Sequence, residues 1–376
     1  LGPMKRTQIF CAALALTTLS SFANAENHAL LIGASTYPNL EERYWLKGPA
    51  NDVDLVSTYL ANNPAVPFAD QNITILADGV EGSIPPTLAA IRTAFAAIAA
   101  KVGKGDFVYL HFSGHGSQAP AGEDSDETDG LDELFLPVDI GPWQDEIGTV
   151  TNALVDDEIG ALIDSIRDTG ANVWVVFDSC HSGTATRAAP SSEDIRLRKL
   201  DSGALGIPDS AMAAAQTTTR ALPAGTDRAE APIPAKADSD KGLLTAFFAA
   251  QTDETTPEKN MPKGKEGRRL QGVFTYTLFE TLAERPNLTY RQLGQEILRK
   301  YSVKNLARST PMFEGDLDQR VFDQGADTRV LQWIATPTKS GAKIDAGVLH
   351  GLTPGTHYTV EVHVRAPDLP GTVVGY

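Results

Sequence analysis

Two short apolar runs, residues 107–112 and 173–177, each end in small and reactive residues: Ser113-Gly114-His115-Gly116 after the first, Asp178-Ser179-Cys180-His181-Ser182-Gly183 after the second. Unbroken apolarity over so few residues predicts strands buried on both faces of a parallel sheet. The carboxyl ends of such strands are where open α/β sheets hold ligands and reactive groups. Further strands are predicted at 29–32 and 73–76, and helices at 50–61, 86–102 and 156–167. The alternation implies an α/β fold, a mostly parallel sheet flanked by helices on both faces. The pattern lapses after Arg187. Residues 188–240, rich in Ala, Pro, Ser, Thr and charge, read as a flexible linker. A strand at 243–250, a polar loop at 252–270 and helices at 272–283 and 289–301, the second capped by Thr289, follow. The expected organisation is a body over 26–325, with a larger part 26–187 and a smaller part 241–325, and a small β module over 326–376.

The start of the chain reads as an export signal. Lys5-Arg6, the apolar stretch 9–19 and Ala23-Asn24-Ala25 give the basic, apolar and small-x-small regions in order, after a short tag remnant at 1–3. A periplasmic or secreted protein beginning near Glu26 is expected, without a transmembrane segment, because no apolar run reaches the roughly 20 residues that a span needs. Of two cysteines, Cys11 falls in that leader, so Cys180 is left without a disulfide partner. An exported structural framework would pair its cysteines, so one thiol points to chemistry. The formal net charge of -16 argues against nucleic acid as a partner.

A lone buried cysteine is ordinarily a small hydrophobe, and a lone turn histidine is ordinarily satisfied by its neighbours. Two strand ends that carry one each favour a nucleophile and base instead. A thiol attacks poorly at neutral pH until an imidazole takes its proton, which makes His115 and Cys180 the candidate dyad of a cysteine hydrolase. Asp178 stands two residues before Cys180, so its carboxylate faces the same cleft as the thiol.

The order and spacing of His-Phe-Ser-Gly-His-Gly at 111–116, Asp-Gly-Leu-Asp-Glu-Leu-Phe-Leu-Pro-Val-Asp at 129–139 and Asp-Ser-Cys-His-Ser-Gly-Thr at 178–184 resemble the type I metacaspases and bacterial orthocaspases of the caspase-hemoglobinase fold. Leu-Lys-Gly-Pro-Ala-Asn-Asp at 46–52 and Gly-Val-Phe-Thr-Tyr at 272–276 support the resemblance, which runs from about residue 27 to 322. It implies a caspase-like fold, His115 as base, Cys180 as nucleophile, and the backbone N–H groups of Gly116 and Cys180 as donors to the developing oxyanion. It also implies that Asp52 and Ser113 join Asp178 in an acidic pocket. Such a pocket would hold a guanidinium or ammonium group, giving protein or peptide substrates cleaved after Arg or Lys. Calcium-activated members resemble this chain at Asp132, Asp156 and Asp157, but a fourth aspartate of that set is Arg187 here. No cofactor is otherwise implied. Family members cut themselves after basic residues between the two halves, for which Arg187, Arg196, Arg198, Lys199, Arg220, Arg228, Lys236 and Lys241 are available. They are generally monomers.

Two other readings share the same sheet. A non-catalytic caspase-like scaffold would bind peptides without cutting them, and the plainest sign of one, loss of a dyad member, is lacking because His115 and Cys180 are both present. A legumain-like enzyme preferring Asn is disfavoured by Asp178, whose charge suits a cation.

Overall fold

The computed structural model describes residues 25–63, 66, 68–122, 129–180, 195–219, 241–251, 254–322, 335–338 and 341–344. The leader, the segments 181–194 and 220–240, and most of the chain after 322 lie outside the described residues. The elements are β1 (Asn27–Gly33), α1 (Gly48–Asn62), β2 (Ile73–Ala77), α2 (Leu88–Ala99), β3 (Phe107–Ser113), β4 (Gly116–Pro120), β5 (Leu131–Phe135), β6 (Trp143–Gln144), β7 (Thr149–Val150), β8 (Leu154–Val155), α3 (Asp156–Arg167) and β9 (Asn172–Asp178). They continue with β10 (Ile195–Leu197), α4 (Asp209–Thr219), β11 (Leu244–Phe248), β12 (Pro257–Met261), β13 (Arg269–Gly272), α5 (Val273–Glu284), α6 (Tyr290–Lys304), β14 (Met312–Gly315), β15 (Ala335–Thr338) and β16 (Gly341–Ile344).

The main sheet runs β14-β11-β9-β3-β1-β2, parallel except at β14, which pairs antiparallel with β11 at the edge. Side chains alternate between its faces, as strand geometry requires. Val108, Leu110, Phe112, Val173, Val175 and Phe177 face one core, with Ile91 and Phe95 of α2 and Ile159 and Ile163 of α3. Phe107, Tyr109, Trp174 and Val176 face the other, with Val53 and Val56 of α1, Phe274 and Leu278 of α5 and Leu293 of α6. This two-sided burial is why the central strands read as unbroken apolar runs. Trp174 is fully buried, and removing a side chain of that size from water stabilises the fold by roughly 2–3 kcal/mol.

Thr87 caps α2 by accepting from Ala90 N–H, so the helix starts at Leu88 rather than at Pro86. Thr289 caps α6 as expected, in a capping box with Gln292. Two expectations for irregular chain are corrected. Within the polar loop expected at 252–270, β12 and β13 pair antiparallel, with Gly264 and Gly267 supplying positive φ between them. Within the expected flexible linker, residues 195–219 are ordered: β10 joins the edge of β12, and α4 follows. Sheet addition supplied by a distant strand outweighs a local composition that favours neither helix nor strand.

The chain divides into two compact units, 1–326 and 327–376. In the second, β15 and β16 form an antiparallel hairpin. The rest of the β module expected at 326–376 lies outside the described residues.

Candidate active site

Adjacent strands β3 and β9 pair in a register that sets Ser113 opposite Asp178, bringing the two reactive strand ends level with each other. Beyond them the chain continues through His115 to Gly116 and through Ser179 to Cys180. All of these residues are buried.

The imidazole of His115 is fixed on one side only. Its Nε2 lies 2.6 Å from the carbonyl oxygen of Tyr44. A carbonyl can only accept, so Nε2 carries the proton and Nδ1 keeps its lone pair. That Nδ1 is buried and has no hydrogen-bond partner. Burial holds the imidazole near pKa 4 against the opposing backbone of Tyr44 and Arg198, with the charges of Arg198 and Arg196 lowering it further. The ring is thus a neutral acceptor at pH 7.

Cys180 is fully buried, and its Sγ accepts from Thr256 N–H at 2.8 Å. Burial pushes the thiol up to about 12, with the Thr256 N–H opposing and Asp178 adding to the rise. Thiol and imidazole are both neutral in this form, and the thiol is turned toward Thr256. Alkylation of Cys180 by iodoacetamide at pH 7 in the intact chain should therefore run at least about 100-fold slower than that of a free cysteine, because only the thiolate reacts. Peptide mass spectrometry against time measures it. A rate equal to that of free cysteine would contradict the buried, protonated thiol.

The acidic residues converge on a residue missing from the sequence-based site. The Arg198 side chain, on the segment following β10, is fully buried. Its Nη2 donates to Asp52 Oδ2 at 2.5 Å and lies 3.8 Å from Glu258 Oε2. Its Nη1 lies 3.2 Å from Asp178 Oδ2 and donates to Ser113 Oγ at 2.9 Å and to the Asp178 carbonyl at 3.0 Å. Each carboxylate is held from behind. Asp52 accepts from Gly272 N–H and the Ser113 hydroxyl, Asp178 from the Thr275 N–H and hydroxyl, and Glu258 from the N–H groups of Lys47 and Gly48. Burial raises Asp52 to about 6 while Arg198 pulls it down. Burial works against the Arg198 charge, but Asp178, Asp52 and Glu258 together hold it above its ordinary value.

Two glycines make room for this group. A Cβ on Gly272 would come 2.0 Å from Asp178 Oδ2, and one on Gly48 would come 2.6 Å from both Arg198 Nη2 and Glu258 Oε2. Both lie in quoted motifs, Gly48 in 46–52 and Gly272 in 272–276, to which the sequence assigned no spatial role. Glu258 lies where a polar loop was expected.

The backbone of Arg198 is held as well. Its carbonyl oxygen accepts from the N–H groups of both Gly116 and Cys180, each at 3.1 Å. The two expected oxyanion donors therefore converge on one oxygen. A Cβ on Gly116 would come 1.8 Å from the Cys180 carbonyl, so only glycine fits there.

The residues expected for calcium lie elsewhere, Asp132 on β5 and Asp156 and Asp157 at the start of α3. Asp156 Oδ1 is buried without a hydrogen-bond partner, and burial followed by the charges of Glu133, Asp132 and Asp157 raises its carboxyl to about 7. Among the described residues no three acidic, histidine or cysteine side chains gather closely enough to hold a metal ion. Of the implied set, Asp156 stands close enough to Asp132 and Asp157 for their charges to act on it, and the fourth position, Arg187, lies outside the described residues.

Comparison with known proteins finds metacaspases. The family model for the metacaspase, peptidase C14 domain matches residues 27–188. Metacaspase-4 of Arabidopsis thaliana is 34% identical over 155 residues, 41% of this chain and 33% of the relative. Metacaspase-1B of Aspergillus oryzae is 28% identical over 318 residues, 78% of this chain and 70% of the relative. Metacaspase-1 of Emericella nidulans is 34% identical over 166 residues, 44% of this chain and 38% of the relative. The chain thus spans little more than a third of the length of two of these three relatives. A crystal structure of a Geobacter sulfurreducens protein superposes with a TM-score of 0.52 at 23% identity, covering 80% of this chain and 100% of that one, a likeness of fold alone. Residues 27–188 are therefore similar to the metacaspase, peptidase C14 domain, and similarity to a metacaspase extends beyond that segment.

Proposed function

We propose that this protein is a cysteine endopeptidase that cuts after Arg or Lys with His115 and Cys180, and that it processes itself between its two halves. The observation that carries this reading is the buried guanidinium of Arg198 among Asp52, Asp178, Glu258 and Ser113, on a residue whose carbonyl oxygen meets the N–H groups of Gly116 and Cys180. A cation-binding pocket and an oxyanion site separated by one residue's length form the geometry a protease needs to select an Arg or Lys and attack its carbonyl.

In the proposed mechanism the thiol leaves Thr256 and turns to His115. Nδ1 takes the thiol proton as Sγ attacks the carbonyl carbon, and the N–H groups of Gly116 and Cys180 stabilise the oxyanion. His115 then returns the proton to the leaving amine, and a thioester forms. Water, deprotonated by His115, releases the acid and restores the thiol. With Arg187 in place of the fourth aspartate of the calcium set, turnover should change less than about twofold between calcium and chelator.

The test is hydrolysis of matched fluorogenic peptides ending in Arg, Lys, Asp or Asn by the mature protein. Arg and Lys should exceed Asp by at least about 1000-fold in kcat/KM, because an anionic residue would be buried against three carboxylates. Equal turnover of all four would sink the acidic pocket. No turnover by a folded, reduced protein would favour the scaffold reading.

A further inference from the structure

We infer that the bond this enzyme cuts in its own chain is Arg198–Lys199, and that residues 195–200 lie in the cleft as its first substrate; this rests on the endopeptidase reading above. Among the basic linker residues the sequence offered no choice. The structure separates them by what each one touches.

Residues 195–200 are bound as an extended peptide on both sides of the proposed bond. Ile195, Arg196 and Leu197 pair antiparallel with Lys259, Glu258 and Pro257. Arg198 N–H donates to the Thr256 carbonyl at 3.0 Å. Beyond the bond, Leu200 N–H donates to the Gly116 carbonyl at 2.9 Å and its carbonyl accepts from the Ser117 hydroxyl at 2.7 Å. Strand addition to a sheet edge is a common way for a cleft to hold a peptide, with main-chain bonds giving affinity and alternate side chains giving selection. Here the selecting side chains are Arg198 in the acidic pocket and Arg196, whose guanidinium donates to the Trp45 carbonyl. The same frame favours added substrates with Arg at the cut and a second Arg two residues before it.

Two further features distinguish a bond awaiting cleavage from a permanent plug. The Arg198 carbonyl, the group an attacking thiol needs polarised, has both donors of the oxyanion site. Lys199, on the leaving side, keeps its Nζ buried without a hydrogen-bond partner. A buried ammonium without a partner is costly, and cleavage lets that strand leave for water. The chemistry balances within the chain and solvent. Sγ of Cys180 bonds to the Arg198 carbonyl carbon, the bond to Lys199 nitrogen breaks, and His115 carries the thiol proton to that nitrogen. Water then hydrolyses the thioester to the Arg198 carboxylate and free thiol.

The experiment follows full-length wild type, Cys180→Ala, Arg198→Lys and Arg198→Gln by intact mass spectrometry and fragment N-terminal sequencing, with an Arg peptide assayed in parallel. Wild type should yield a new N-terminus at Lys199, with a half-life unchanged over an about 100-fold range of protein concentration, since the substrate is already bound in place. Cys180→Ala should stay whole. Arg198→Lys should be cut at this bond about 3- to 10-fold more slowly, and Arg198→Gln at least about 100-fold more slowly, because lysine keeps the charge but not the fork. A wild-type chain that stays whole here, or an Arg198→Gln chain cut here at the wild-type rate, overturns the inference. The peptide lane then separates the two ideas: turnover with an uncut chain leaves the endopeptidase standing without this self-cut, and no turnover removes both.

Discussion

Replacing Cys180 with Ala is expected to lower kcat/KM for an Arg peptide by at least about 1000-fold, and His115→Ala to fall almost as far, with the double variant no worse than either. The reason is the charge state of the pair. Burial holds the thiol near 12 and the imidazole near 4, so a standing thiolate–imidazolium pair is the disfavoured arrangement. The proton must move during attack, and a thiol without its base, or a base without its thiol, has no route forward. The His115 ring is placed for this by a single bond, Nε2 to the Tyr44 carbonyl, which leaves Nδ1 as the acceptor. Added imidazole should restore part of the lost rate in His115→Ala and none in Cys180→Ala. A His115→Ala enzyme with wild-type kcat/KM would show that the thiol is activated by another group, and the proposed dyad would fall.

The parts of this molecule that could be read in advance are those whose signal is local. A strand buried on both faces must be apolar throughout, so β3 and β9 were visible as runs. Their shared level was not, because the register that sets Ser113 against Asp178 arises from pairing between strands far apart in sequence. The spacing of Asp178 and Cys180 placed both toward one cleft, and the structure has them meet the same residue, Asp178 at the Arg198 side chain and Cys180 N–H at its carbonyl. Arg198 itself was one basic residue among eight in a stretch with no periodicity. Glu258 sits in a five-residue strand that gains its order from β10 and β13. Gly48 and Gly272 were seen in motifs, but their contribution is vacant space, 2.0 Å from a carboxylate in the case of Gly272, and a sequence does not record space. The two-residue strands β6, β7 and β8 are too short to show any period.

Asp178→Asn isolates charge from shape, which makes it the sharpest test of the pocket. Asparagine keeps the volume and can still accept from Thr275 N–H and the Thr275 hydroxyl, the two bonds that orient Asp178. What it loses is one of three negative charges around a fully buried guanidinium. Removing the whole counter-charge of a buried ion typically costs about 3–5 kcal/mol. Asp52 and Glu258 remain here, so about 2 kcal/mol is expected for the uncut chain, a fall in Tm of roughly 3 °C in a Cys180→Ala background. The same loss acts on an added substrate. For an Arg peptide, kcat/KM should drop about 30- to 100-fold, while the neutral isostere citrulline, which never used that charge, should change little. The ratio of Arg to citrulline turnover is therefore the decisive number, because a general weakening of the fold lowers both substrates together. If Asp178→Asn lowers both equally, Asp178 supports the cleft without selecting the cation, and selection passes to Asp52 and Glu258. If the ratio collapses while citrulline turnover holds, the carboxylate at the end of β9 is a direct partner of the substrate cation, two residues before the thiol that attacks the neighbouring carbonyl.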